Sequence, residues 1–269
     1  MSLVTSVTSN DGTSIAYDRQ GSGPAVILVG GAFVDRSENT ALATELAERF
    51  SVYNYDRRGR GDSADTLPYA PEREFEDLEA LVAEAGEPAH LFGASSGGAL
   101  VLEATASGIG VEKIAGYEVP YNMADDGAQR HRQYVEQLER FLAEGRRGDA
   151  AELFMRVAGA SDDMIADAKD SPMWPGLEAI AHTLAYDAAC LGDGQPPTAR
   201  LAGIRQPTLV ATGGASPGSF VGGGGDFFDQ AAAAIAATIP RAVRLTIEGQ
   251  THLVDPKVLA PELERFFGG

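Results

Sequence analysis

Apolar and polar positions along the chain follow two rhythms, and the rhythm changes twice. Residues 3–7 and 14–18 alternate on either side of Asn10-Asp11-Gly12-Thr13. Asp-Gly between two alternating runs predicts a hairpin. Ala25-Val26-Ile27-Leu28-Val29 is apolar throughout, as expected of a parallel strand buried on both faces. A helix is expected near 38–49, with Leu42, Leu46 and Phe50 apolar, followed by a strand at Val52-Tyr53-Asn54-Tyr55. Pro71 stands at a favoured first helical position, and Phe75, Leu78, Leu81 and Val82 then recur at helical spacing until Gly86. Ala89-His90-Leu91-Phe92 reads as a strand, 99–104 as a helix, and 113–118 as a strand closed by Pro120.

Strands alternating with helices imply βαβ units and a parallel sheet. From about 123 to 193 the strand pattern disappears. Gln133 to Leu142 is amphipathic, 150–157 and 177–191 are helical, and Ser171-Pro172-Met173-Trp174-Pro175-Gly176 separates the last two. The strand rhythm returns at 207–211, is interrupted by Gly222-Gly223-Gly224-Gly225 and an Ala-rich helix from Asp226 to about Thr238, and ends at 243–247 before a helix at 256–267. The tetraglycine cannot pack, which predicts a mobile loop. The expected organisation is an α/β core over 1–121 and 195–269 with a helical cap insertion over 122–194. The insertion leaves the sheet at the C-terminal end of a strand, where ligands bind in open α/β sheets. Phe33, Met173, Trp174, Leu184 and Tyr186 are candidate pocket lining; the competing expectation is that the cap residues pack only the cap's own interior.

Composition narrows the partners. Among 269 residues, 39 Asp and Glu stand against 21 Lys and Arg, a formal net charge of −18. That disfavours nucleic acid and anionic membrane, both of which need a basic footprint. The one cysteine, Cys190, excludes an intramolecular disulfide and lies in an apolar helical run, where a buried structural role is expected. The N-terminus has no basic segment followed by an apolar one, and no run approaches the roughly 20 apolar residues of a membrane span. A cytoplasmic monomer or homodimer acting on a small molecule is the expectation. The Gly-rich segment has no neighbouring Lys to make a phosphate cradle.

The chemistry centres on Gly93-Ala94-Ser95-Ser96-Gly97. Strand, Gly-x-Ser-x-Gly and helix form the pattern called a nucleophile elbow. A serine hydroxyl needs a base in contact to act at neutral pH, and four histidines are available. His90 lies in the elbow strand and is expected to be buried. His131 sits in a charged helix and is expected to be solvated. His182 is expected to pack within the cap, with a pocket position as the alternative. His252 follows the last strand and suits a general base. Asp56-Arg57-Arg58-Gly59-Arg60-Gly61-Asp62-Ser63 fits a self-satisfied structural turn better than a phosphate loop.

These signals in this order resemble the α/β-hydrolase superfamily over essentially the whole chain, in its serine-nucleophile, helical-cap, esterase-like branch. The carriers are Gly30-Gly31-Ala32 after the first parallel strand, the Asp56-x-Arg58-Gly59-x-Gly61-x-Ser63 turn, the elbow at Ser95, and Gly249-x-x-His252. The resemblance implies a mostly parallel sheet of about eight strands flanked by helices, Ser95 as nucleophile and His252 as base. It also implies an oxyanion hole from the N–H groups of Ala32 and Ser96, and no metal or organic cofactor. The commonest position of the acid, after strand 208–211, is Ser216. Glu118, at the end of the strand after the elbow helix, is the preferred acid, with Asp226 or Asp229 as alternatives. The implied activity is hydrolysis of a small, mostly apolar ester, lactone or thioester. Alternatives are a C–C-bond-cleaving, cyclase-like or cofactor-free oxygenase member of the fold, or a binding module without turnover.

Overall fold

The computed structural model describes residues 4–86, 88–215 and 226–269. Ser216 and the Gly222–Gly225 segment, of which mobility is expected, lie outside the described residues. The strands are β1 (Ser6–Thr8), β2 (Ser14–Gln20), β3 (Ala25–Val29), β4 (Ser51–Tyr55), β5 (Ala89–Ala94), β6 (Val111–Tyr117), β7 (Thr208–Gly213) and β8 (Ala242–Ile247). Among the described residues they form one sheet in the order β1-β2-β4-β3-β5-β6-β7-β8. The β1–β2 hairpin is antiparallel and meets β4 antiparallel; every other pairing is parallel.

The helices of the first half are α1 (Thr40–Leu46), α2 (Pro71–Ala85) and α3 (Ser96–Ser107). Between β6 and β7 come α4 (Gly127–Ala143), α5 (Arg147–Val157), α6 (Asp162–Asp170), α7 (Trp174–Ile180), α8 (Leu184–Cys190) and α9 (Thr198–Leu201). Helices α10 (Phe227–Thr238) and α11 (Pro256–Gly268) complete the chain. The two-residue period of β3 divides the interior. Ile27 and Val29 join Leu78 of α2, Leu100 of α3 and Ile235 of α10 on one face. Val26 and Leu28 join Leu46 of α1 with Leu259 and Leu263 of α11 on the other. All five residues of β3 and of β4 are therefore buried.

The helices after β6 build a third apolar cluster of their own around Leu138, Ala150, Met155, Trp174 and Leu184. The helical run at 177–191 is two helices joined by a turn of 3-10 helix at Ala181–Thr183. Helix α6 is not anticipated by apolar spacing, because four aspartates dilute the pattern and Ile165 is its buried apolar residue. Its local signal is Ser161, whose hydroxyl accepts from the Met164 N–H at 3.2 Å as an N-cap. Among the described residues no helix is long and apolar enough to cross a membrane.

Candidate active site

The site begins with steric necessity at the end of β5. A Cβ at Gly93 would lie 2.3 Å from the Gly97 carbonyl oxygen, and one at Gly97 would lie 2.4 Å from the Val29 oxygen. Only glycine lets the chain reverse there. Ser95 takes φ 53° and ψ −127°, with its N–H on Tyr117 O at 2.9 Å and its carbonyl accepting from Gly98 N at 2.9 Å. Among the described residues three non-glycines have positive φ: Phe33, Ser95 and Glu118. They follow β3, β5 and β6, so backbone strain collects along one end of the sheet, as it does at functional sites.

Glu118 is buried, and its two oxygens have separate partners. Oε1 accepts from the Gly213 N–H at 2.9 Å, and Oε2 lies 2.7 Å from His252 Nδ1. The histidine loop is braced around this contact. Tyr117 donates its hydroxyl to Thr251 O, Ala215 N donates to Gln250 O at 2.9 Å, and Phe228 stacks on the imidazole at 5.0 Å. With a carboxylate at Nδ1, the favoured neutral tautomer carries its proton there and leaves Nε2 as acceptor. Asp226 is the exposed N-cap residue of α10, and Asp229 pairs with Arg244. Neither of the alternative acids is brought to His252, and Glu118 is.

Ser95 and His252 line one cavity of about 730 Å³, together with Ala32 and Ser96. Its apolar wall includes Leu42, Tyr134, Phe154, Leu191, Phe227 and Leu253. The expected lining needs correction at all five positions. Met173 is 71% exposed on the outer surface. Trp174, Leu184 and Phe33 pack within the third apolar cluster, Phe33 edge-on to Phe154. Tyr186 stacks on Tyr69 at 3.7 Å and donates to Asp65 at 2.9 Å. The expected residues of α7 and α8 are thus taken up within the protein, and the inserted block contributes to the wall through Tyr134 of α4, Phe154 of α5 and Leu191 just after α8. A second, open concavity of about 880 Å³ lies at the opposite strand ends, near Pro24, Glu112 and Arg241. Among the described residues that line it there is neither a hydroxyl nucleophile nor an imidazole.

The remaining histidines separate by environment. His90 is buried and stacks on Phe267. His182 Nε2 lies 3.2 Å from Asp65 Oδ2, outside the cavity lining. His131, expected to be solvated, is half-buried and borders the cavity, and burial lowers its basicity below the ordinary imidazole value. Cys190 is buried, and burial followed by the neighbouring Glu74 carboxylate raises its thiol well above the usual range. Among the described residues no group of three or more His, Cys, Asp or Glu is placed to hold a metal ion.

The turn after β4 holds what sequence reasoning missed. Asp56 does close it, accepting from Arg36 N at 2.7 Å and Asp62 N at 2.8 Å. Its arginines do not stay in it. Arg58 turns to Asp77 and Asp11 at 2.7–2.9 Å. Arg57 reaches Glu74 with two nitrogens, at 2.7 and 2.8 Å, and Asp187 Oδ1 at 2.6 Å. Arg60 reaches Asp187 Oδ2 at 2.7 Å and the Gly31 carbonyl at 2.6 Å. Ser96 donates its hydroxyl to Asp187 Oδ1 at 2.8 Å. Burial alone would raise the Glu74 carboxyl, and the Arg57 guanidinium overrides it and holds the group below its ordinary value. Two cations and two anions thus form a buried, neutral cluster under the cavity floor. Asp187 lies 130 residues from Arg57 in the chain, so no local spacing marks it.

Known proteins share this architecture. A solved α/β hydrolase from Sphaerobacter thermophilus DSM 20745 is 48% identical, with TM-score 0.85, over 98% of this chain and 100% of that one. A thermophilic esterase from Thermogutta terrifontis shares the fold at 21% identity and TM-score 0.71, over 99% and 98% of the two chains. The uncharacterized hydrolase YraK of Bacillus subtilis (strain 168) is 36% identical over 96 residues, which span 34% of this chain and 35% of that protein's length. The alpha/beta hydrolase family matches residues 26–262, from the first fully buried strand into the last helix. With that span and an eight-stranded sheet carrying a serine elbow, the chain belongs to the alpha/beta hydrolase family and is a hydrolase of that fold.

Proposed function

We propose that the protein is a serine hydrolase that cleaves a small, mostly apolar ester, lactone or thioester through an acyl-enzyme on Ser95. The observation that carries this is the 2.7 Å contact between His252 Nδ1 and the buried Glu118, beside a cavity that Ser95 and His252 both line. In the first step Ser95 Oγ attacks the substrate carbonyl and its proton passes to His252 Nε2. Glu118 holds the Nδ1–H and compensates the imidazolium that forms. The oxyanion develops against the N–H groups of Ala32 and Ser96. Ser96 opens α3, where backbone donors have no partner within the helix, and the Ala32 N–H meets no acceptor among the described residues. Each such donor is worth a factor of ~100–1,000 in rate.

The protonated Nε2 then gives its proton to the leaving alcohol or thiol. Water attacks the acyl-enzyme by the same route, releasing a carboxylic acid and restoring Ser95. In this reading residues 122–194 form the cap and 1–121 with 195–269 the catalytic core. The apolar wall, with Tyr134 of α4 and Phe154 of α5 in it, selects the substrate's hydrocarbon part. The test is labelling by a fluorophosphonate probe, read by peptide mass spectrometry. One adduct per chain on Ser95 is expected, with Ser95→Ala unlabelled and its kcat on short p-nitrophenyl esters lower by on the order of 10,000-fold. A folded wild-type protein with Ser95 unmodified overturns the proposal.

A further inference from the structure

We propose that Arg60 is a positioning residue for the oxyanion hole, fixing and polarising the Gly31–Ala32 peptide while Asp187 of α8 holds its guanidinium. The inference rests on the serine-hydrolase reading above. The Gly31 carbonyl and the Ala32 N–H belong to the same planar amide and point in opposite directions. A donor that fixes Gly31 O therefore fixes where the Ala32 N–H aims.

Gly31 needs such a partner. A Cβ there would lie 3.2 Å from Ser95 Cβ and 3.3 Å from Ala94 O, so the close approach of this loop to the serine favours glycine. Glycine leaves the adjoining peptide free to rotate. The loop has also left the ladder of β3, which ends at Val29. Arg60 replaces the lost constraint. Its side chain is 1% exposed and all three of its nitrogens are engaged: Nη1 with Gly31 O at 2.6 Å, Nη2 with Asp187 Oδ2 at 2.7 Å and Nε with Thr183 Oγ1 at 3.1 Å. A charged donor on an amide oxygen also strengthens the N–H at the other end of that amide as a donor.

The second donor is tied to the same carboxylate. Ser96 Oγ donates to Asp187 Oδ1, and the carbonyl of the peptide carrying the Ser96 N–H accepts from Gly98 N. Asp187 thus links one donor through Ser96 and the other through Arg60. It comes from α8, in the block proposed as the cap, so that block also grips the floor of the site.

The experiment compares two inhibitors. A trifluoromethyl ketone accepts Ser95 Oγ at its carbonyl carbon, its oxygen becomes an oxyanion, and the serine proton goes to His252. A methyl ketone of the same shape is bound without forming that adduct to a significant extent. Arg60→Met is expected to lower kcat by about 10–100-fold with KM within a factor of about three. It should weaken the trifluoromethyl ketone by a similar factor and leave the methyl ketone unchanged. Arg60→Lys should recover part of the loss, because an ammonium can still donate to Gly31 O. Arg60→Met/Asp187→Asn removes one charge of each sign, so the cluster stays neutral if the single variant folds poorly, and the same selective loss is expected. Undiminished trifluoromethyl ketone binding in the folded double variant, or equal losses for both ketones, overturns the inference. Failure of wild-type Ser95 to take the fluorophosphonate instead overturns the serine-hydrolase reading beneath it.

Discussion

Two imidazoles lie at opposite ends of the same sheet, each face to face with a phenylalanine. His90, near the start of β5, stacks on Phe267 at 4.8 Å and 5°. His252, beyond β8, stacks on Phe228 at 5.0 Å and 14°. The rings are stacked alike, His90 Nε2 has only the exposed Glu112 carboxylate at 3.9 Å among the described residues, and the decisive difference lies at Nδ1. At His252 that nitrogen meets Glu118; at His90 it is buried with no hydrogen-bond partner among the described residues. Burial holds His90 below the ordinary imidazole value, so it stays neutral and packs as an aromatic. A stacked imidazole is therefore a packing unit by itself. A carboxylate behind it adds a fixed tautomer and a counter-charge, which are what a proton shuttle needs.

The sharpest way to break this comparison is to make His252 resemble His90. Glu118→Gln keeps an acceptor for the Gly213 N–H and removes the charge behind the imidazole. We expect kcat to fall on the order of 1,000- to 10,000-fold, with the melting temperature little changed. Asp226→Asn should alter kcat by less than about twofold, since that side chain is exposed at the start of α10 and makes no cap hydrogen bond there. The reverse ranking in steady-state assays of the two purified variants would remove Glu118 from the proposed triad.

What the sequence showed of this comparison follows from where the signals reside. The hairpin, the buried parallel strands and the Gly93–Gly97 corner are written in neighbouring residues, because period and steric contact are local. Glu118 was legible because it ends a strand beside the elbow strand, so topology alone carries it to the site. The Arg57–Arg60–Asp187 cluster was not, because it joins a turn after β4 to a helix more than 120 residues away. Nothing in apolar spacing says which face of an arginine-rich turn meets which helix. The pocket wall failed for a related reason. Trp174 and Tyr186 look like pocket residues, but each helix of the inserted block has neighbours on several sides, and these two found theirs within the protein.

A smaller effect tests the stack rather than the carboxylate. Phe228→Leu keeps apolar bulk against His252 and removes the ring. Aromatic pairs are worth about 0.5–1.5 kcal/mol beyond area burial. If that energy orients the imidazole, kcat should fall by about 2–10-fold with Glu118 in place. Kinetics of Phe228→Leu and Glu118→Gln singly and together give the coupling between the two supports. Strict additivity would mean that the ring and the carboxylate position His252 independently.

The smallest effect on activity is expected at His90, where the prediction concerns stability. His90→Phe should leave kcat unchanged, because the site lies at the other end of the sheet, and phenylalanine can keep the contacts with Phe267 and Phe50. The pH dependence has a definite sign. The folded state holds His90 below the ordinary value of ~6.5, so below that pH the unfolded chain takes up a proton that the folded protein refuses. The stability from burying the neutral ring is fully present above pH ~6.5 and is lost as pH falls through the depressed folded value. Wild type should therefore lose stability faster than His90→Phe on acidification, by at most about 1.4 kcal/mol per pH unit. His131, also depressed by burial, keeps a residual slope in the variant. Urea unfolding at pH 7 and pH 5 measures the difference. Parallel losses in the two proteins would mean that His90 is protonated in place, and the contrast with His252 would then rest on the carboxylate alone rather than on charge state.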